Sequence, residues 1–383
     1  MRVNAIVSLR RQLHANPELA GHESETARTL VDFFRPLLPD EIIGGLGGHG
    51  LAITFSGQAP GPAILLRCEL DALPIQETND VSHRSRFDGV SHKCGHDGHM
   101  AILAAVGAAL AKRRPARGRV ILLFQPAEET GEGAAGVMRD SRFAEMRPDF
   151  CFALHNLPGY PLGEVILRAG TFACGSRGMC VRLTGKTAHA AQPESGISPA
   201  GAMCRIIDGL AGLQAGGSGE TAFVTIAGAR LGEKAFGTAP GHAAIWATLR
   251  AEKDETMREL VTLSERIVHE AAADAGITGS IEYEDVFPAT VNALDAVEIV
   301  RASAAPLPVR EMERPFRWSE DFGRFARVAP SALFGIGAGE TVPDLHNPDY
   351  DFPDDLISIA AELYMRIIVR ACESRGTSPE EKR

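Results

Sequence analysis

Val120-Ile-Leu-Leu-Phe124, running into Gln125-Pro126-Ala127-Glu128-Glu129, joins a short apolar run to a pair of carboxylates. The run reads as a buried strand, and the two glutamates lie just past its C-terminal end. Two further segments repeat the arrangement. Phe150-Cys-Phe-Ala-Leu154 is followed directly by His155, and Ala63-Ile-Leu-Leu-Arg67 leads into Cys68-Glu69-Leu70-Asp71. In open α/β sheets ligand sites collect outside the carboxyl ends of the strands. Three acid or imidazole groups at three strand ends therefore predict one site on an α/β fold with a largely parallel sheet.

Cys94-Gly95-His96-Asp97-Gly98-His99 supplies the complementary chemistry, and His346 stands far downstream. A soft thiolate, imidazoles and paired carboxylates on separate segments are the ingredients of a transition-metal site. Taken singly, each piece is ordinary. A Cys-x-His motif is a weak signal, a Glu-Glu pair is usually solvated charge, and His14, His22, His49 and His83 read as surface or hydrogen-bonded groups. Their placement at strand ends is what joins them. In such a pair of glutamates one can bind metal while its neighbour stays free to move a proton.

With 383 residues the chain is too long for one ordinary core and suggests two domains. A formal net charge of −10 argues against nucleic-acid and anionic-membrane partners. No uninterrupted apolar run is long enough for a membrane span. The first ten residues read as an amphipathic helix rather than a secretory leader. Seven scattered cysteines are unlike a disulfide framework, so a cytoplasmic setting is expected.

Helical patterns occupy residues 6–13 and 25–34, and an Ala-rich helix over 100–111 must be buried on most sides. Gly98 permits close approach ahead of it. Beyond Gly178 the order becomes strand, helix, strand, strand, helix, strand, the split βαβ pattern. A discontinuous catalytic, metal-binding domain is expected over 1–177 and 288–383, with an insert over 178–287. His346, after the insert, must rejoin the site built by the first half. The tail over 373–383 is polar and expected to fray.

At this point the sequence resembles the co-catalytic metallopeptidase family of aminoacylases and carboxypeptidases, nearest its hippurate hydrolase and auxin-conjugate amidohydrolase branch. The resemblance spans nearly the whole chain. It begins at Arg10-Arg-Gln-Leu-His14 and Asn16-Pro-Glu-Leu19 and passes Leu70-Asp-Ala-Leu-Pro-Ile75 and Cys94–His99. It continues with Gln125–Glu129, His155-Asn-Leu-Pro158 and Gly185-Lys-Thr-Ala-His-Ala-Ala191. It closes with Ser319-Glu-Asp-Phe322 and Leu345-His-Asn-Pro-Asp-Tyr-Asp-Phe352.

The resemblance implies a mixed-sheet α/β/α catalytic domain with an inserted ferredoxin-like lid and dimerisation domain. It carries the metal ligands onto Cys94, His96, Glu129, His155 and His346, holding two divalent ions, manganese or zinc, with cobalt or nickel possible. Glu128 takes the general-base position. Asp71 and Asp97 look like carboxylates that orient the ligand imidazoles; for Asp97 the competing reading is a helix cap before Met100. His189 matches a lid histidine that reaches the other subunit's active site and stabilises the oxyanion, against a plain loop histidine. Arg250 matches an arginine that meets the substrate carboxylate, against a solvated strand-end arginine. A homodimer acting on N-acyl amino acids follows from the resemblance.

Two departures stand out. Relatives commonly carry Asn-Val-Ile-Pro where this chain reads Gly237-Thr238-Ala239-Pro240, and Cys68-Glu69 replaces the usual Ala-Asp. A deacetylase or dipeptidase on the same scaffold, a structural metal site and a catalytically reduced metal-binding relative are the competing functions. Glu128, a carboxylate that a closed four-ligand site does not need, disfavours the structural site.

Overall fold

Every residue of the run 120–124 is shut off from solvent and lies within the strand Arg117–Gln125. The computed structural model describes residues 3–213, 215–217 and 219–374, so the tail expected over 373–383 lies, beyond residue 374, outside the described residues. The chain forms two compact units. One comprises the residues up to Phe172, Thr290–Arg314 and those from Asp321 onward; the other comprises Ala173–Ala289 and Pro315–Glu320.

The first unit is built on an eight-stranded mixed sheet. Its order is Glu41–Leu46, Gly50–Ser56, Arg117–Gln125, Ala59–Glu69, Phe150–Pro158, Ser331–Gly339, Val165–Leu167, Val309–Glu311. The four central strands, from Arg117–Gln125 to Ser331–Gly339, are mutually parallel, so their C-terminal ends share one edge. The flanks correct the expectation of a largely parallel sheet. Glu41–Leu46 and Gly50–Ser56 form an antiparallel pair across the glycine-rich turn, and Gly50–Ser56 runs antiparallel to Arg117–Gln125. A short turn can join only antiparallel neighbours.

The helix that carries the cysteine motif into the core runs His96–Lys112, four residues earlier than the apolar pattern begins. Gly95 precedes it at φ 93°, and its carbonyl accepts the amides of Gly98 and His99. An added Cβ at Gly95 would lie 2.7 Å from Asn156 Oδ1, so both the dihedral and the space demand glycine. Gly98 lies inside the first turn, where a Cβ would lie 2.3 Å from the Phe352 ring. The close approach expected there is therefore to the segment just after His346. Asp355–Ser374 and Val3–Ala15 pack on this helix and complete the core.

The second unit contains Gly175–Thr184, Ala200–Ala211, Ala222–Leu231, His242–Ala251, Asp254–Asp274 and Thr278–Phe287, as strand, helix, strand, strand, helix, strand. Its antiparallel sheet has the order Ala222–Leu231, His242–Ala251, Gly175–Thr184, Thr278–Phe287. Met179, Val181 and Leu183 alternate onto the face that meets both helices, as a period of two requires. Residues 315–320 join this unit: the Cys174 amide donates to the Phe316 carbonyl at 2.9 Å. Among the described residues no helix is long and apolar enough to cross a membrane.

Candidate metal centre

The parallel strands deliver their terminal residues to one place. Cys94, His96 and His155 present Sγ and ring nitrogens within 4.8 Å of one another; with carboxylate oxygens included, so do Cys94, Glu129 and His346, and again His96, Glu128 and Glu129. Cys94 Sγ lies 3.5 Å from His155 Nε2. Glu129 Oε1 lies 3.8 Å from both His96 Nε2 and His346 Nε2, and Glu128 Oε2 is 3.8 Å from His96 Nε2. Tetrahedral ligands about 2.1–2.3 Å from one ion are separated by roughly 3.4–3.8 Å. The donor spacing therefore fits divalent ions without rearrangement.

Hydrogen bonding sets the tautomers. His96 Nδ1 lies 2.8 Å from the Asp71 carbonyl and His155 Nδ1 lies 2.9 Å from the Asn156 carbonyl. A carbonyl only accepts, so both Nδ1 atoms carry a proton, and Nε2 is the ring atom each residue would offer to a bound cation. His96 is fully buried, and its Nε2 has no hydrogen-bond partner. Such an atom is costly unless something binds it. Burial opposes a charge on His96, yet the hydrogen bond it donates to Asp71 and the charges of Glu69 and Glu129 outweigh burial and push its pKa up to about 10. Burial and the charges of Glu129, Glu128 and Glu69 hold the Cys94 thiol well above its usual range. Both shifts record one fact: the pocket's negative field asks for a cation, and a divalent ion would reverse the thiol's preference.

Two carboxylates fix the loop that carries the glutamate pair. The Glu129 amide donates to Asp71 Oδ2 at 2.9 Å, and the Ala127 amide donates to Glu23 Oε1 at 2.8 Å. Ala127 has φ 50°, a left-handed conformation costing about 1–2 kcal/mol in a non-glycine residue. Glu23 and Asp71 together hold that turn and so aim Glu128. His346 is left-handed as well, at φ 66°, with its amide bonded to the Lys93 carbonyl at 2.7 Å. Strained backbone of this kind persists only where its surroundings over-determine it.

Asp97 is a correction. It neither caps the helix, whose first turn it occupies, nor touches a ligand imidazole. Its Oδ2 lies 2.8 Å from His14 Nδ1 and accepts from Arg10 at 3.2 Å. On a helix, neighbouring residues face different sides, so His96 and Asp97 serve different clusters. Asp71 was expected to orient an imidazole through its carboxylate; its backbone carbonyl accepts from His96 Nδ1, and its carboxylate accepts from the Glu129 amide.

Sequence reading passed over Glu23, Lys93 and His99. Lys93, fully buried beside Cys94, donates from Nζ to Glu77 and to the Tyr350 carbonyl, both at 2.8 Å. His99 lies 2.6 Å from Glu69 and 2.6 Å from the Asn156 side chain. Glu69 also pairs with the fully buried Arg67, which reaches Asp321 at 2.6 Å and Gln125 at 2.9 Å. Burial raises the Glu69 pKa, but Arg67 and His99 more than reverse that and hold it well below the usual carboxylate range. Glu69, at the departure from Ala-Asp, thus closes a buried ion cluster beneath the site. Only partners far apart in sequence define these roles, and no local motif signals them.

In the second unit, His189 sits on a short ribbon paired with Thr238, and the Ala191 amide donates to its Nδ1 at 3.0 Å. Its Nε2 then bears the proton and is a donor. The Ala190 amide bonds to the Gly237 carbonyl at 3.0 Å. Arg250 donates to the Arg317 carbonyl and to Ser319 Oγ.

The family model described as peptidase family M20/M25/M40 matches residues 65–370. An IAA-amino acid hydrolase of Arabidopsis thaliana is 30% identical over 97% of this chain and 86% of its own length. A hippurate hydrolase of Campylobacter jejuni is 29% identical over 94% of this chain and 95% of its own. A Bacillus subtilis dinuclear metal-binding peptidase from the M20 family superposes with a TM-score of 0.82 at 24% identity, covering 97% of this chain and 98% of that one.

Proposed function

From the premise that the chain belongs to peptidase family M20/M25/M40 and is a metal-dependent hydrolase, we propose that it cleaves the amide bond of N-acyl amino acids. The products are a carboxylic acid and a free amino acid. The observation that carries the reading is the convergence of Cys94, His96, Glu129, His155 and His346 beside Glu128, with His96 Nε2 buried and without a hydrogen-bond partner among the described residues. The substrate class is supported by the relatives' names, an IAA-amino acid hydrolase and a hippurate hydrolase.

In this reading those five residues hold two divalent ions, manganese or zinc, which when bound lower the pKa of water and polarise the scissile carbonyl. Glu128 takes a proton from the attacking water as the C–O bond forms, and passes it to the leaving nitrogen as the tetrahedral oxyanion collapses and the C–N bond breaks. Glu23 and Asp71 hold the loop that aims it. His189, with a protonated Nε2, is a neutral donor suited to the oxyanion. Arg250 takes the substrate carboxylate. The second unit serves as lid and dimerisation unit, the enzyme is a homodimer, and its setting is the cytoplasm, in keeping with seven free cysteines.

Hydrolysis of N-acetyl, N-benzoyl and indole-acetyl amino acids by manganese- or zinc-loaded protein tests the reading. Turnover should stop with a chelator. Glu128→Gln should lower kcat at least ~100-fold with metal retained. Undiminished turnover in that variant would refute the base assignment.

A further inference from the structure

The second unit carries two guanidinium groups that no carboxylate among the described residues neutralises. Arg250, near the end of His242–Ala251, donates from Nη1 to the Arg317 carbonyl at 2.9 Å and to Ser319 Oγ at 3.0 Å. Both N–H groups of Nη1 are thereby engaged. The Nε–Nη2 edge remains, and that edge is the fork that matches the two oxygens of a carboxylate. Arg317 holds its guanidinium 4.2 Å from the centroid of the Phe223 ring and, among the described residues, has no carboxylate partner. Stacking orders the side chain without using any of its N–H donors.

The two cations act on each other. Desolvation lowers the Arg250 pKa, Cys174 partly opposes it, and the charge of Arg317 adds to the lowering. The chain has 49 acidic against 39 basic residues, so unneutralised arginines side by side go against its composition. Their frame is rigid. Phe316 is bridged to Ala173, its carbonyl takes the Cys174 amide, and its ring stacks on Trp318 with centroids 5.0 Å apart. A half-buried guanidinium and a stacked one, fixed on neighbouring segments with free donor edges, are preorganised for anions.

We propose that Arg250 and Arg317 form a receptor for two carboxylates, so that the preferred substrates are N-acyl derivatives of an acidic amino acid, aspartate or glutamate in type. The proposal rests on the amidohydrolase reading and narrows it. Any N-acyl amino acid brings one α-carboxylate, which suits the free edge of Arg250. That leaves Arg317 for a second carboxylate, which a neutral side chain does not supply.

The test compares kcat/KM for N-benzoyl-glutamate and N-benzoyl-glutamine, near-isosteres that differ in charge, using metal-loaded full-length protein. The glutamate compound should be favoured about tenfold or more. Arg317→Met, which keeps an apolar stem on Phe223, should bring the ratio close to one, mainly through KM. Arg182→Met, at an exposed arginine paired with Glu282, should leave the ratio intact. A ratio near one in the native chain, or an undiminished ratio in Arg317→Met, overturns the receptor. If no N-acyl amino acid is hydrolysed, the amidohydrolase reading has failed, and calorimetric titration with N-benzoyl-glutamate judges the receptor alone. Binding weakened about tenfold by Arg317→Met sustains it, and absent or equal binding overturns it.

Discussion

His14 should make the stability of this protein fall as pH rises from 6 to 9.5. It is fully buried between two carboxylates, Asp97 Oδ2 at 2.8 Å and Glu77 Oε1 at 3.0 Å, with Arg10 beyond the first and Lys93 beyond the second. Burial disfavours its charge, but Asp97 and Glu77 outweigh burial and push its pKa from 6.5 up to about 9. A raised folded pKa stabilises fully below the unfolded value and is lost as pH climbs through the folded one. The gap corresponds to about 3 kcal/mol. Depression of the Asp97 pKa is the same attraction seen from the other side and is counted once. Urea unfolding of metal-stripped protein, native against His14→Gln, isolates the effect. The stability difference should shrink by about 3 kcal/mol between pH 6 and 9.5, and parallel curves over that range would show that His14 is neutral when folded. The cluster holds Asp97 beside His96 and Lys93 beside Cys94, so activity at high pH should decline with it.

Three further outcomes are expected. Glu23→Ala strands the partly buried amide of the left-handed Ala127 and should cost about 1–2 kcal/mol, lowering kcat more than metal content, whereas Glu23→Gln, which keeps an acceptor oxygen, should recover most of the loss; equal losses in the two variants would contradict the hydrogen-bond account. Gly237→Asn should fold with stability within about 0.5 kcal/mol of native, because an added Cβ there meets no heavy atom within 4 Å, and the changed substrate preference is read from kcat/KM across acyl groups. Removing metal should lower the melting temperature, with recovery on adding manganese or zinc; a melting temperature indifferent to metal would argue against the centre.

Much of the catalytic side was legible locally. A run of buried apolar residues ending in an acid or imidazole marks a parallel strand with its functional end, and three such runs placed Glu128, Glu129, His155 and Asp71 near one another. Asp97 misled because a motif shows residue types and spacing, whereas the helix rotates neighbours onto different faces. The start of that helix was misplaced because Gly95 admits the turn ahead of the apolar pattern. Glu23, Lys93 and His99 gave no signal, since their partners lie at Ala127, Tyr350 and Asn156.

By itself, then, the sequence determined the alternation of strands and helices, the βαββαβ order of the second unit and the chemical character of the candidate metal ligands. Those follow from periodicity and side-chain chemistry, which act over a few residues. Only the tertiary structure decided which buried polar atoms go unpartnered, which carboxylates hold the Glu128 loop, and that Arg317 stands beside Arg250. Such facts depend on burial and on contacts between segments far apart in the chain, and a linear pattern carries neither.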